Sequence, residues 1–272
     1  NLNDTSELWV QNPTYLALAN NSTGAVVVAN SARIVSANAW FDIAQGNNSV
    51  GSVLVKDNAG IYTVGDFNLT DTGSGATASV TVQDNATIHC NNLWVGKDTG
   101  AVATFTITNN ATVVSANGLT MSTYYDGTPE VTTSTMNLNG GSLAVNLVQG
   151  STVSGVNYGT FNFNGGTLIA HAPYFGNFMY GLAAANVLAG GANISVGTND
   201  IQITQPLLNG GGGGGLTLLG SGGSLYFNNG VNTYTGNTLV SAGATLGGSG
   251  TINGPVSVAS GGTLVSDGGS IG

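Results

Sequence analysis

Short runs of alternating apolar and polar residues recur along the first two thirds of the chain. Each run ends on two apolar residues that are separated by one other residue. These pairs are Val26 and Val28, Val53 and Val55, Val80 and Val82, Phe105 and Ile107, Met136 and Leu138, and Phe161 and Phe163. A period of two is typical of a β-strand with one buried face. We therefore expect both members of each pair to point into a common core.

A polar turn follows each pair, and a further apolar residue then opens a second strand. The turns are Asn30-Ser31-Ala32, Asp57-Asn58-Ala59, Asp84-Asn85-Ala86, Asn109-Asn110-Ala111, Asn139-Gly140-Gly141 and Asn164-Gly165-Gly166. The opening residues are Ile34, Ile61, Ile88, Val113, Leu143, Leu168, Ile194, Leu225, Leu246 and Leu264. Because Asn, Asp and Gly tolerate left-handed backbone geometry, we expect these turns to be tight. Stacked Asn side chains can also bond to one another along the axis.

A third apolar segment completes each unit. These segments are Leu8-Trp9-Val10, Trp40-Phe41, Phe67-Asn68-Leu69, Leu93-Trp94-Val95, Leu119-Thr120-Met121 and Tyr174-Phe175. A repeat of roughly 18 to 31 residues with three strands is one coil of a solenoid. The pattern therefore predicts an all-β protein, a parallel β-helix of about nine or ten coils with three short strands in each coil.

The composition of the chain changes at Asn209, where Gly210 to Gly215 form a run of glycines. Such a run is either a flexible connection or a tight passage that excludes side chains. We divide the chain accordingly. Residues 1–208 form a β-helix with the longer coils, and residues 209–272 form a glycine-rich connection and shorter repeats that continue the solenoid.

Two segments of this second part carry a family resemblance. Residues 232–246 read NTYTGNTLVSAGATL, and residues 248–264 read GSGTINGPVSVASGGTL. They resemble the autotransporter-associated β-strand repeat of bacterial passenger domains, closely over about residues 216–272 and loosely over about residues 16–200. The resemblance implies a right-handed β-helix of pectin-lyase type, secreted or displayed on a Gram-negative cell. The segment Asp267 to Gly272 departs from the family pattern, which implies that a longer precursor continued.

The charge balance excludes several classes of partner. Charged residues make up 6% of the chain, the net charge is −9, and the cations are Arg33, Lys56 and Lys97. Three cations cannot neutralise many phosphates, so nucleic acid is excluded as a partner, and an anionic membrane surface is excluded for the same reason. The chain has no apolar run of the roughly 18 residues that a membrane helix needs. We expect an extracellular or cell-surface protein whose signal peptide has been removed.

Candidate metal ligands are limited to two acids. Asp57 and Asp84 occupy equivalent turn positions in adjacent coils, where carboxylates could hold calcium. The alternative, which we favour, is that both simply form turns in a ladder otherwise made of Asn. The three cations occupy different positions in their coils, so we expect no row of basic side chains beside the acids. Polysaccharide lyases with this fold need such a group.

The remaining reactive side chains do not form a recognisable catalytic set. Asp126 and Glu130, in the longest polar loop, could be a glycosidase pair, but one acidic pair is not a pattern. A lone His in a strand, such as His89 or His171, is most often outward or already hydrogen-bonded, and the lone Cys90 reads as a small buried apolar residue. We therefore expect no catalytic residue, no cofactor and no enzymatic activity.

The function that we expect is that of an extracellular structural protein, assembling end to end into a filament or surface layer. The chain begins at Leu8-Trp9-Val10 and ends at Ile271-Gly272 without polar caps. Open ends of one architecture complement each other head to tail, and such contacts grow without closing. The candidate interface residues are Leu8, Trp9, Val10, Tyr174, Phe175, Phe178 and Tyr180.

Two other functions stay open. The aromatic stretch from Tyr174 to Tyr180 could stack on sugars, as in a carbohydrate-binding adhesin whose partner is a cell-surface polysaccharide, or it could be an internal aromatic stack or a lid. A polysaccharide lyase or hydrolase is the second alternative, which the expected lack of a basic row disfavours.

Overall fold

The computed structural model describes residues 2–123, 131–171 and 176–265. Almost all strands in these ranges pair in parallel, and the chain winds into a right-handed β-solenoid of about nine turns. The strands stack in three columns, which we call sides A, B and C. The predicted fold class is therefore confirmed.

Side A comprises β3 (Thr23–Val28), β6 (Val50–Val55), β9 (Thr77–Val82), β11 (Val102–Ile107), β13 (Thr133–Leu138), β18 (Thr160–Phe163), β21 (Ala184–Val187) and β24 (Leu207–Asn209), followed by the pair β27 (Val231–Asn232) and β30 (Thr251–Ile252). Side B comprises β1 (Glu7–Val10), β4 (Arg33–Ser36), β7 (Gly60–Thr63), the first parts of β10 (Thr87–Val95) and β12 (Thr112–Met121), β14 (Ser142–Val145), β19 (Thr167–Ala170), β22 (Ala192–Gly197), β25 (Leu216–Gly220), β28 (Thr238–Val240) and β31 (Val256–Val258). Side C comprises β2 (Thr14–Leu16), β5 (Phe41–Ile43), β8 (Phe67–Leu69), the second parts of β10 and β12, β15 (Val148–Gln149), β20 (Asn177–Tyr180), β23 (Asp200–Ile203), β26 (Ser224–Phe227), β29 (Thr245–Gly248) and β32 (Thr263–Leu264). A small antiparallel hairpin, β16 (Ser151–Val153) and β17 (Val156–Tyr158), projects between coils.

The apolar pairs of side A stack in register and face the core, as predicted. The second members, Val28, Val55, Val82, Ile107, Leu138 and Phe163, are fully buried and lie in one continuous column. Aromatic side chains meet inside, where Phe67 of side C stacks on Phe41 of the same side at 5.2 Å and packs edge-on against Phe105 of side A at 6.1 Å. Because each coil buries its apolar face only against its neighbours, the core is a continuous axial column.

The turns between sides A and B have the predicted left-handed geometry. Asn30, Asp57, Asp84 and Asn109 have φ values of 59°, 61°, 61° and 57°. The side-chain oxygens of such residues can bond locally, which offsets the cost of this conformation for a residue with a Cβ atom.

Two predicted strand assignments are wrong. Leu8-Trp9-Val10 lies on side B, where it pairs with β4, and the third segment of its coil is β2. Beyond Ile194, side B continues through Leu218, Val240 and Val258. The predicted continuations, Leu225, Leu246 and Leu264, follow Ile201 on side C instead. The cause is that apolar strands of sides B and C look alike in sequence, so only backbone pairing tells them apart.

The glycine run is a tight passage rather than a loose tether. A Cβ atom on Gly214 would lie 1.8 Å from the carbonyl oxygen of Leu188, and one on Gly215 would lie 2.1 Å from that of Asn237. Side chains are therefore excluded at Gly214 and Gly215 by the neighbouring coils, whereas Gly211 and Gly213 have open space but positive φ values of 92° and 71°, which favour glycine. Strand pairing continues across the run, since β22 pairs with β25.

Candidate functional site

The two candidate metal ligands are hydrogen-bond acceptors within a turn ladder. Oδ2 of Asp57 accepts the backbone N–H of Asn30 at 2.9 Å, and Oδ2 of Asp84 accepts that of Asp57 at 3.1 Å. Oδ1 of Asp84 also accepts from Nδ2 of Asn109 at 2.9 Å. The backbone hydrogen bond from Asp57, followed by the Asn109 bond, lowers the pKa of Asp84. This geometry supports the turn-forming interpretation. In the described ranges, no three His, Cys, Asp or Glu side chains are placed to hold a metal.

The interface candidates at the first coil are accessible. Leu8 and Trp9 on β1 are 44% and 60% exposed, whereas Val10 is half-buried. In the described part of the chain, β1 pairs along one edge with β4. Two large apolar side chains are therefore exposed on a strand that, within the described residues, pairs with β4.

The aromatic candidates have different surroundings. Phe178 is fully buried in the core, so its prediction as an interface residue is wrong; the alternative of an internal aromatic residue describes it. Its position on β20 turns it inward, which the interrupted repeat did not reveal. Tyr180 is half-buried, and its hydroxyl donates to Oε1 of Gln149. Tyr174 and Phe175, like the loop acids Asp126 and Glu130, lie outside the described residues.

The histidines and the cysteine lie apart from any acid–base arrangement. His89 faces outward and stacks on Tyr62 at 5.2 Å, and burial against that side of the sheet lowers the pKa of the imidazole. His171 is exposed. Cys90 is buried, and this burial raises the pKa of its thiol to about 12, which leaves a poor nucleophile.

The structure brings together a polar and aromatic cluster that the sequence analysis did not single out. It lies on the outer face of side C and on the turns that follow β5, β8 and β10. Adjacent coils contribute equivalent positions, in three rows that read Trp40, Asp66 and Asn92; Asp42, Asn68 and Trp94; and Gln45, Asp71 and Lys97. Trp40, Asp66, Asn68, Asp71 and Lys97 line an open cavity of about 320 Å³, which we call the Trp40 cleft.

The turns after the three strands explain how the third row is positioned. Thr70 and Gly96 both have left-handed backbone geometry, with φ values of 60° and 80°. Each turns the chain so that the next residue, Asp71 or Lys97, extends back over the outer face of the sheet. Since β8 and β10 are in register, the two side chains come together.

Lys97 is the central cation of the cluster. It is 4% exposed and forms an ion pair with Asp71. Its Nζ atom lies 3.5 Å from Oδ1 of Asn68 and 5.3 Å from the centre of the Trp94 ring. A charge this well buried requires such partners, because desolvation is costly. The coil positions of the three cations did not predict that Lys97 would lie beside an acid.

Asp42 lies beneath the cleft rather than in it. The side chain is fully buried and accepts hydrogen bonds from Nδ2 of Asn68 and, at 3.4 Å, from Nε2 of Gln45. Burial raises the pKa of this carboxyl to about 7, the Asn68 bond opposes the rise, and the nearby Asp71 carboxylate adds to it. Asp42 therefore orients Asn68 from the neighbouring strand and does not itself line the cleft.

Asp66 and Trp40 form the other wall. The carboxylate of Asp66 accepts from Nδ2 of Asn92 at 2.6 Å and from the indole Nε1 of Trp94 at 3.2 Å. Trp40 is 43% exposed and presents its ring beside that carboxylate. The cleft thus combines an aromatic surface with fixed donors and acceptors, an arrangement suited to binding a small polar molecule.

A sequence signal for this cluster did exist. Aligning the third segments of successive coils and reading two residues beyond each would have placed Gln45, Asp71 and Lys97 in one row. That alignment requires the correct strand bounds, which the structure supplied.

No protein-family model, curated protein or solved structure matches the chain. The described residues contain no helix that could span a membrane.

Proposed function

We propose that this chain is an extracellular structural protein of a bacterial surface, built as a rigid rod. The observation that carries the proposal is the set of side-chain ladders that link successive coils on the outside. On side A, Asn162 donates to Asn137 at 2.8 Å and Asn186 donates to Asn162 at 2.9 Å. Together with the turn ladder through Asp57 and Asp84, these bonds join coils that the core already holds.

Such ladders favour stiffness over recognition. In a solenoid each coil contacts only its neighbours, so stability is a sum of coil-to-coil terms. Outer amides that bond along the axis strengthen each of those terms and use hydrogen-bonding groups that a ligand would otherwise use. The low charged fraction of 6% is consistent with a passive scaffold. The resemblance of residues 216–272 to autotransporter repeats supports the extracellular location and the Gram-negative source.

The proposal includes end-to-end association. Exposed Leu8 and Trp9 of β1 lie on side B, the column to which Val258 of β31 also belongs, and exposed Leu264 of β32 lies on side C, the column of β2. The edge of one copy can continue the parallel ladder of another. A contact of this kind repeats without closing and produces a filament.

Negative-stain microscopy of the purified chain tests both parts. We expect filaments with a repeat on the order of 45 Å, from about nine coils at ~4.8 Å each. Trp9→Asp should shorten or abolish them, whereas Val64→Asp, a change at a residue 63% exposed elsewhere, should leave them intact. Dispersed rods of one length would overturn self-assembly but keep the rod. Compact particles would overturn the structural proposal itself.

In this proposal the chain catalyses no reaction. This part of the proposal is tested by assaying the purified chain for cleavage of polygalacturonate, with Asp84→Asn and Asp71→Asn as variants. Cleavage that either substitution abolishes would place the chain among the polysaccharide-degrading enzymes instead.

A further inference from the structure

We propose that the Trp40 cleft is a binding site for a neutral saccharide chain. This inference goes beyond the structural role, because a rod does not need a preformed cleft. The cleft differs from the Asn ladder of side A because unlike side chains, among them an exposed tryptophan, meet there across adjacent coils. Its five lining residues come from three coils, so the site exists only when those coils are stacked.

The aromatic wall fits a sugar ring. Trp40 is 43% exposed although its large apolar surface would be more stable if covered. The C–H groups on one face of a pyranose ring form an apolar surface of about the size of an indole. Packing of such a ring on Trp40 would cover the indole while leaving the hydroxyl groups of the sugar free to bond at its edge.

The polar wall combines two half-buried carboxylates with an ammonium and an amide that hold one of them in place. Asp66 and Asp71 offer carboxylate oxygens that only accept, whereas the ammonium of Lys97 only donates and the amide of Asn68 does both. A sugar hydroxyl is a donor and an acceptor at once. Lys97 and Asn68 are nearly fully buried and are paired within the protein. The polar groups that can meet a ligand are therefore the half-buried carboxylates of Asp66 and Asp71, which can accept hydrogen bonds from sugar hydroxyls beside the Trp40 ring.

The groups are held in place before any ligand arrives. Trp94 donates to Asp66 and lies under Lys97, Asn92 donates to Asp66, and Asp42 on the neighbouring strand fixes the amide of Asn68. Side chains that are already ordered lose little entropy on binding. This supporting layer distinguishes the cleft from a surface cluster of acids.

The charge of the cleft selects against acidic sugars. Two lining carboxylates and one ammonium leave an excess of negative charge, on a chain whose net charge is −9. A uronic acid would bring a further carboxylate close to Asp66 and Asp71, and like charges at such a distance are disfavoured. The expected ligand is therefore a neutral hexose polymer rather than a pectin-like polymer.

Titration calorimetry and tryptophan fluorescence with three hexasaccharides test this inference. The probes are cellohexaose, mannohexaose and hexagalacturonate. We expect at least one neutral probe to bind and hexagalacturonate to bind more weakly.

Trp40→Ala should weaken the binding of the neutral probe about tenfold or more, and Trp40→Phe should weaken it less. Trp9→Ala is the matched change at an exposed tryptophan outside the cleft, and it should change Kd less than about twofold.

Circular dichroism and thermal melting of each variant confirm that a loss of binding is not a loss of fold. If neither neutral probe binds, or if Trp9→Ala weakens binding as much as Trp40→Ala, the site assignment is overturned. Tighter binding of hexagalacturonate would overturn the ligand class. Trp40 belongs to the second coil, on side C, whereas Leu8 and Trp9 lie on side B of the first coil. Trp40→Ala should therefore leave rods and filaments unchanged, so the structural proposal and this inference fail independently.

Discussion

The ammonium of Lys97 pairs with the carboxylate of Asp71 across two adjacent coils, and both side chains are largely removed from solvent. The two residues follow equivalent strands, so the pair ties one coil to the next on the outer face of side C. It also forms the floor of the Trp40 cleft. Its energetic role can be separated from that of an ordinary surface pair.

Breaking this pair from one side should be costly. Asp71→Asn leaves a buried ammonium without its counter-charge, and we expect a loss of about 3 kcal/mol in the free energy of unfolding. The double variant Asp71→Asn with Lys97→Met should recover much of that loss, because no unpaired charge remains. Urea unfolding followed by circular dichroism measures both.

The control for the Asp71 and Lys97 variants is Lys56→Met, a change at an exposed ion pair. The Lys56 ammonium lies 3.8 Å from Asp57 on an exposed turn, with both side chains more than a third exposed. We expect Lys56→Met to change the free energy of unfolding by less than about 0.5 kcal/mol, as is usual for surface ion pairs. Strictly additive effects in the Asp71 and Lys97 variants would show that the buried pair is not energetically coupled.

Asp42 should make the protein less stable as the pH rises towards neutral. Burial, assisted by the Asp71 carboxylate, raises its pKa from 3.8 to about 7 in the folded state. The folded protein then holds a proton that the unfolded chain has released, so the stabilisation is full below pH 3.8 and is lost as the pH rises to about 7.

The matched variant for Asp42 is Asp42→Asn, which keeps the shape and an acceptor for Asn68. At pH 8 this variant should be more stable than the wild type by on the order of 2 to 4 kcal/mol, and the difference should vanish near pH 4. Melting temperatures across this range measure it. Parallel melting curves for the two proteins would mean that Asp42 does not titrate in this window.

Asp84 should act in the opposite direction. The backbone N–H of Asp57, and then the Asn109 amide, lower the pKa of this carboxyl below 3.8 in the folded state. The stabilisation is therefore present above pH 3.8 and is lost as the pH falls through the lower, folded-state value. Asp84→Asn should retain the turn geometry. Between pH 5 and pH 2, its melting temperature should therefore decrease less than that of the wild type.

The control for the Asp84 experiment is Asp200→Asn, a substitution at an exposed acid outside the turn ladder. It should leave the acid-side decrease in melting temperature close to that of the wild type. An equal decrease in wild type and Asp84→Asn would contradict the ladder interpretation.

Gly214→Ala should be strongly destabilising. The added Cβ would meet the Leu188 carbonyl oxygen at 1.8 Å, a backbone atom that cannot move without disturbing the next coil. We expect a loss of at least about 3 kcal/mol, at the upper end of overpacking effects. Gly230→Ala is the control, because nothing lies within 4 Å of its Cβ position. A soluble, equally stable Gly214→Ala protein would show that the glycine run is a loose tether.

The sequence by itself determined the repeat and most of its strands. The period-two pairs of side A and the left-handed turns at Asn30, Asp57, Asp84 and Asn109 follow from local chemistry. Side-chain direction alternates in any strand, and few residue types accept positive φ. These features were predictable because they depend on neighbours in sequence.

Only the tertiary structure decided which strands lie side by side. Leu8 lies on side B rather than side C. After Ile194, the next residue of the side B column is Leu218 and not the predicted Leu225. Phe178 turns into the core. The Trp40 cleft depends on the same information. Its residues are far apart in sequence, and a slip of one residue in the pairing of β8 with β10 would turn Asn68 or Trp94 to the opposite face. Register between coils is a property of backbone pairing, which an apolar pattern alone does not specify.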